Sequence, residues 1–189
     1  MTPLRTLTLA LLLTTTRAAA GPCDEVASTV RQTNELRRRG AHDAAVTRLN
    51  ALYRTCHAPR VLAQIGLAEH GRGHWLDAWR ALHDALRHRE DPWVAANAVA
   101  LVGVAAAVRA HLADLSPRCS VAGAQLAVDG HAVGPLPLAS PMVVTAGRHV
   151  LRLTASGHEA ADVVVVLAEG ARYRSFVVML AASPYNEAR

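Results

Sequence analysis

The sequence predicts an α+β protein with its helices and strands in separate domains, the helices first and the strands last. Three observations lead to this fold class. The first half of the chain repeats itself with a shift of about 33 residues, which is typical of arrays of helical hairpins. A long alanine-rich stretch follows, and the last third consists of short apolar runs separated by glycine-containing turns, which predicts a small all-β domain.

Residues 1–20 have the features of a secretory signal peptide. Arg5 lies in a short basic region that an apolar run follows, and residues 18–20 are alanines that suit a cleavage site before Gly21. A lipoprotein anchor requires a small residue directly before its cysteine, and Pro22 occupies that position. We therefore expect a soluble periplasmic protein, secreted through a cleaved signal peptide.

The charge pattern does not favour nucleic-acid binding. The net charge of +5 falls to +3 once the two arginines of the leader are removed. All 20 basic residues other than histidine are arginine, which indicates a codon bias rather than phosphate recognition. With 51% hydrophobic residues the chain can bury one moderate core or two small ones, and the change of pattern along the chain favours two.

Two helical hairpins are predicted between the leader and the alanine-rich stretch. The repeat maps Gly40 onto Gly73, Ala45 onto Ala78, Leu49 onto Leu82, and Pro59 onto Pro92. The second copy, residues 61–92, resembles a tetratricopeptide repeat at Leu62, Ile65, Gly66, Ala78, Leu82 and Ala85. The first copy begins near Val26 and has Thr33 at the position of the repeat's glycine.

The resemblance implies partner binding, because arrays of this type bind extended peptides on the concave surface formed by the first helix of each pair. Carried over by position, the groove residues are Asn34, Arg37, Arg38, Arg60, Ala63, Leu67 and His70. The alternative is that these positions simply face solvent. The basic run at residues 37–39 has the same two interpretations: a solvated helix end whose cations complement the macrodipole, or a site that captures an acidic partner.

A capping helix is predicted over residues 92–115. About three such repeats are normally needed for stability, so two of them require a cap. Asp91 followed by Pro92 gives an N-cap and a proline at the first helical position. The apolar run 94–108 is shorter than the roughly 20 residues that cross a bilayer, so we expect a packed helix and no membrane span. Residues 116–117, Ser-Pro, end it, which gives a helical domain over 21–115.

The last third contains hairpin signals, of which Asp129-Gly130 is one. The order of its elements resembles the PEGA domain from about Cys119 to Leu180: Gly123-Ala124, Val128-Asp129-Gly130, Val133-Gly134, Pro137-Leu138, Gly147-Arg148-His149 and Gly157-His158. This resemblance implies a small all-β sandwich of a bacterial envelope protein. We place it at residues 116–182 and assign residues 183–189 to a tail.

The cysteines are consistent with export. Cys23 precedes the first helix of the first hairpin and Cys56 follows its second helix, so an antiparallel hairpin brings the two together. We expect a disulfide between them, and the alternative is two reduced, buried thiols. Cys119 is left over at the expected start of the first strand, where it suits the role of a small buried hydrophobe better than that of a nucleophile.

The sequence indicates no enzyme, metal or cofactor. His70 and His74 are four residues apart, but the turn glycines between them keep them off a common helix face. The chain has no His-Glu-x-x-His motif, no glycine-rich phosphate loop and no Gly-x-Ser-x-Gly motif. A triad from Ser156, His158 and Asp162 would fall on a β-turn and the strand that follows it.

Three tryptophans cluster around the second hairpin and could form a ligand platform. Trp75 and Trp79 are one helical turn apart, so at least one of them should pack as core.

Together the two resemblances predict a non-catalytic protein-interaction or scaffold protein of the bacterial cell envelope. The helical repeats would bind a protein or peptide, and the β-domain is the candidate for contact with envelope or cell-wall material. The alternative is a ligand-sensing or accessory component of an envelope signalling system, since PEGA-like modules also accompany receptors and kinases.

Overall fold

The computed structural model describes residue 21, residues 23–172 and residues 176–183. Within these ranges it contains five helices followed by eight strands, so the mixed α+β class is confirmed. The predicted signal peptide at residues 1–20 and residues 184–189 of the predicted tail lie outside the described residues.

The helices occupy the first half of the described chain. They are α1 (Val26–Arg38), α2 (His42–Thr55), α3 (Pro59–Arg72), α4 (Trp75–Leu86) and α5 (Pro92–Ala110). Each helix packs against the next one along the chain, and α3 also contacts α1 and α5. Helix α3 is therefore the central element of the helical part.

Helices α3 and α4 approach each other closely at Gly66. A Cβ atom at this position would lie 2.6 Å from Cγ of Leu82, 3.0 Å from the backbone nitrogen of Leu82 and 3.1 Å from the carbonyl oxygen of Ala78. Thr33 stands at the equivalent place in the first hairpin and is fully buried. Its hydroxyl donates to main-chain carbonyls of its own helix, which satisfies the buried polar group.

A disulfide joins Cys23 to Cys56, as predicted, with 5.2 Å between their Cα atoms. It links the segment before α1 to the residue after α2. Cys56 is 1% exposed and lies in a core cluster with Val26, Leu49 and Val61. The disulfide therefore ties both ends of the first hairpin to the helical core.

Helix α5 begins as predicted, because Oδ1 of Asp91 accepts hydrogen bonds from the backbone nitrogens of Trp93 (2.8 Å) and Val94 (3.0 Å). Its buried residues, Val94, Leu101 and Val108, recur every seven positions and face the other helices. In the described ranges α5 is the one helix long and apolar enough to cross a membrane, and 17% of its most apolar window is buried. That the protein does not span a membrane stays a prediction.

The strands follow directly on α5. They are β1 (Leu112–Leu115), β2 (Arg118–Cys119), β3 (Gln125–Val128), β4 (His131–Pro135), β5 (Met142–Thr145), β6 (Gly147–Thr154), β7 (Ala161–Leu167) and β8 (Val177–Val178). An antiparallel sheet has the order β4-β3-β6-β7, while β1 pairs with β5 and β2 with β8. Cys119 is free, half-buried and packed against the β core, and it lies in the second strand rather than the first.

The predicted end of the capping helix near Leu115 is wrong. Helix α5 ends at Ala110, and β1 pairs with β5 from Leu112 opposite Thr145 to Leu115 opposite Met142. Three of the four β1 side chains are buried, Ala113 and Leu115 in the core of the β-region and Leu112 in the helical cluster. The guanidinium of Arg109 also donates to the Leu112 carbonyl and pairs with Asp114. The β-region therefore begins before Ser116.

The hairpin between β3 and β4 turns at Asp129 and Gly130, whose φ angles are +51° and +81°. Positive φ at both central residues is the geometry expected of an Asp-Gly hairpin turn. The Asp129 carboxylate accepts from Nδ1 of His149 (2.6 Å) and from the backbone nitrogen of Val150 (2.8 Å). The hydrogen bond with His149, followed by that with Val150, lowers the pKa of Asp129.

We expect acid to weaken this turn, and Asp129→Asn should reveal the effect. A carboxyl whose folded-state pKa lies below its unfolded value stabilises the fold above about pH 4 and loses that effect as the pH falls through the lowered value. Asparagine tolerates the left-handed φ but carries no charge. The unfolding midpoint of the variant should therefore lie below that of the unchanged protein at pH 7, and the difference should shrink toward pH 2.5.

Asp162→Asn is the matched control, because Asp162 is exposed and pairs with Arg152 at 3.4 Å on the same sheet. The unfolding midpoint of Asp162→Asn should stay close to that of the unchanged protein at every pH. The prediction would be contradicted if the difference in unfolding midpoint between Asp129→Asn and the unchanged protein stayed constant from pH 7 to pH 2.5.

Candidate functional site

A groove runs between α1 and α3, and we call it the α1–α3 groove. Positions 60, 64, 67 and 71 of α3 recur at helical spacing and form one of its walls. It holds two cavities. The first, of about 310 Å³, is the basic cavity, lined by Asn34, Arg37, Arg38, His42, Leu67, His70 and Gly71. The second, of about 180 Å³, is the Trp93 cavity, lined by Val26, Ala27, Val30, Arg60, Gln64 and Trp93.

Six of the seven predicted groove residues line these cavities. The basic cavity contains Asn34, Arg37, Arg38, Leu67 and His70, and the Trp93 cavity contains Arg60. Ala63 does not line the groove. It is fully buried in the cluster formed with α4 and α5, because it lies about 100° around the helix from Gln64 and faces the opposite neighbour.

Arg37 is the central cation of the groove. Its Nη1 donates to Oε1 of Gln64 at 2.9 Å and to Oδ1 of Asn34 at 3.1 Å, and both acceptors are neutral amides. Partial burial lowers the pKa of the Arg37 guanidinium. Within the described residues Arg37 has no ion pair, so this partly desolvated charge is available to an anion that enters the cavity.

The carboxylates of α1 and α3, the two helices that line the groove, pair with other cations. Glu35 pairs with Arg38 at 3.3 Å and with Arg39 at 2.8 Å. Glu69 pairs with Arg72 at 3.0 Å, and Arg72 also pairs with Asp43. These pairs therefore leave Arg37 uncompensated.

His42 completes the basic cavity, and sequence reasoning missed it. Its ring packs so closely on Gly71 that any side chain at Gly71 would collide with it. Its Nδ1 is buried and has no hydrogen-bond partner in the described part of the chain. Gly71 lies in the last turn of α3 rather than in the interhelical turn, while His74 lies outside that helix and pairs with Glu69.

The tryptophans do not form one platform. Trp75 stacks on His111 with ring centroids 4.1 Å apart, and Trp79 stacks on His83 at 4.9 Å. Both pack against the core of α3, α4 and α5, as predicted for at least one of them. Trp93 alone of the three lines a groove cavity.

The residues rejected above as a catalytic triad have other partners in the structure. Nδ1 of His158 lies 2.9 Å from the carbonyl oxygen of Ser156, while Asp162 pairs with Arg152. Over residues 23–172 and 176–183, no group of three or more His, Cys, Asp or Glu side chains is placed to hold a metal ion.

The basic cavity can offer positive charge and hydrogen-bond donors to a ligand. It presents guanidinium and imidazole groups beside the apolar side chain of Leu67, and its openness to solvent suits a segment that lies across it. Comparison with protein-family models and with curated proteins gives no match for this chain.

Proposed function

We propose that this chain is a non-catalytic protein-interaction module of the bacterial cell envelope. In this proposal residues 1–20 direct export to the periplasm, two tetratricopeptide-like hairpins capped by α5 bind a partner, and a PEGA-like sandwich forms a second domain. The Cys23–Cys56 disulfide supports the export step, because such bonds persist in oxidising compartments.

The packing of the hairpins supports the repeat assignment. Gly66 allows α3 and α4 to approach closely at the position where the repeat places glycine. The buried residues of the β-region form a cluster of their own, which supports a second core. Leu112 and Val143 of the β1–β5 pair pack into the helical cluster, so the proposed domains share a contact there.

The observation that carries the function is Arg37, a half-buried cation whose side-chain partners among the described residues are the neutral amides of Asn34 and Gln64. An extended peptide with an acidic side chain would supply the missing negative charge, and its neighbouring apolar side chain would cover Leu67. A carboxylate would form both a charge-assisted hydrogen bond and an ion pair with the guanidinium, whereas an amide forms the hydrogen bond alone, so the acidic group should dominate the affinity. The proposed ligand is therefore an acidic, extended protein segment.

Arg37→Gln should weaken binding of an acidic peptide at least ten-fold. The probe is a fluorescent octapeptide with two Asp and two Glu among alanine and leucine, together with an isosteric Asn/Gln version. Fluorescence anisotropy at 50 and 300 mM salt should show that the acidic peptide binds more tightly, and that salt weakens it.

Arg39→Gln is the matched control, since Arg39 is adjacent and exposed and pairs with Glu35 outside the cavity. It should bind like the unchanged protein. Equal affinity for the acidic and amide peptides, or equal losses for the two variants, would contradict the proposed function.

A further inference from the structure

The Trp93 cavity contains a second uncompensated cation. Nε of Arg60 is buried and has no hydrogen-bond partner, and the described residues offer Arg60 no ion pair. Arg60 is also the second residue of α3, which begins at Pro59. A cation in the first turn of a helix faces the positive end of the macrodipole, so the helix itself does not compensate this charge.

The remaining polar group of the cavity is also a donor. Gln64 is 3% exposed, and its Oε1 already accepts from Arg37, so the groups with which Gln64 can still bind a ligand are its amide N–H donors. Among the described residues, no carboxylate lines this cavity. The polar groups of this cavity can therefore donate hydrogen bonds but have no acceptor within it. An anion needs such donors from its binding site.

The other walls are apolar. Val26, Ala27 and Val30 of α1 lie on one side and Trp93 of α5 on the other. The volume of about 180 Å³ corresponds to roughly six water molecules at about 30 Å³ each. A ligand of six to nine heavy atoms, with one charged end and an apolar body, would match both the size and the lining.

We propose that the Trp93 cavity binds a carboxylate attached to a short apolar group, with Arg60 and the Gln64 amide holding the carboxylate and Trp93 covering the apolar part. Such a group can come from a free short-chain acid or from the C-terminal residue of a protein. The site lies at the opposite end of the groove from the basic cavity. It goes beyond the proposed function and stands even if Arg37 binds no acidic peptide.

The test uses two matched pairs of probes with the full, disulfide-bonded chain. Hexanoate is compared with hexanamide, and the peptide Gly-Ser-Gly-Leu with a free C-terminus is compared with its C-terminal amide. Isothermal titration should give a dissociation constant of about 1 mM or below for at least one carboxylate, as expected for a ligand of this size. Each amide should bind at least ten-fold more weakly than its carboxylate.

The two pairs also separate the two sources. Tighter binding of hexanoate than of the free-carboxylate peptide identifies a free acid, and the reverse identifies a chain terminus. Absence of binding by both carboxylates at 20 mM, or equal binding of the amides, would overturn the proposal.

Variants locate the site. Arg60→Gln should lose at least ten-fold in carboxylate affinity, and Ala27→Phe, which fills the cavity from an exposed position of α1, should do the same with Arg60 intact. Arg148→Gln changes an exposed arginine on β6 and should bind like the unchanged protein.

Thermal unfolding distinguishes a binding residue from a structural one. Removal of an uncompensated cation should leave the midpoint of Arg60→Gln equal to or above that of the unchanged protein. A lowered midpoint with carboxylate binding intact would assign Arg60 a structural role and overturn the proposal.

Discussion

Replacing Gly66 with alanine is expected to lower the free energy of unfolding by about 2 kcal/mol, even though alanine is the better helix former. The new Cβ would lie 2.6 Å from Cγ of Leu82 and within 3.1 Å of two backbone atoms of α4. A side chain can change rotamer, but a backbone cannot yield without moving its helix. The substitution should therefore force α3 and α4 apart and weaken the whole contact between them.

Gly103→Ala is the control for the same chemical change. Gly103 lies on the exposed face of α5, and a Cβ there would have no neighbour within 4 Å. This substitution should raise the stability by about 0.5 to 1 kcal/mol, because it removes backbone freedom from the unfolded chain. Urea unfolding of both variants measures the difference, and a stabilising Gly66→Ala would refute the close packing of α3 on α4.

Loss of the Cys23–Cys56 disulfide should have a larger effect, about 4 kcal/mol. The bond closes a loop with a sequence separation of 33 residues, and the chain-entropy relation gives a value of this size for such a loop. Both ends of the first hairpin would then be free to separate from the core. We expect the double variant Cys23→Ser, Cys56→Ser to unfold at a much lower urea concentration than the unchanged protein.

Cys119→Ser provides the comparison, because Cys119 is free and only half-buried. It should cost less than about 1 kcal/mol, in the range of partly buried substitutions. Reducing agent should bring the unchanged protein to the stability of the double variant and leave the double variant itself unaffected. Insensitivity of the unchanged protein to reducing agent would rule out a stabilising disulfide.

Most of the helical part could be predicted because its signals are local. The 33-residue shift located the two hairpins, and Asp91 with Pro92 located the start of α5. The Cys23–Cys56 pairing followed from the antiparallel arrangement of one hairpin. In each case the decisive residues lie within one hairpin or one helical turn of each other.

The groove could be predicted only in part. Asn34, Arg37 and His70, chosen by helical position alone, do line the basic cavity, whereas Ala63, chosen in the same way, is buried in the core cluster with α4 and α5. His42 was missed because it belongs to the second helix of its hairpin and reaches the cavity by packing on Gly71. The position of His42 in the sequence does not show that the start of α2 will contact the end of α3.

Sequence patterns are enough to predict the two helical hairpins, the N-cap of α5, the Asp129-Gly130 turn and the cysteine pairing, because each depends on backbone preferences or on regular spacings along the chain. That residues 112–115 form a strand follows from long-range contacts, since their partner β5 lies some 30 residues away and the burial it offers outweighs local helical preference. The ion pairing of the arginines also depends on long-range contacts. Whether Arg37 and Arg60 meet a carboxylate depends on which acidic side chains the fold brings near them, and in this fold Glu35 and Glu69 are paired with other residues.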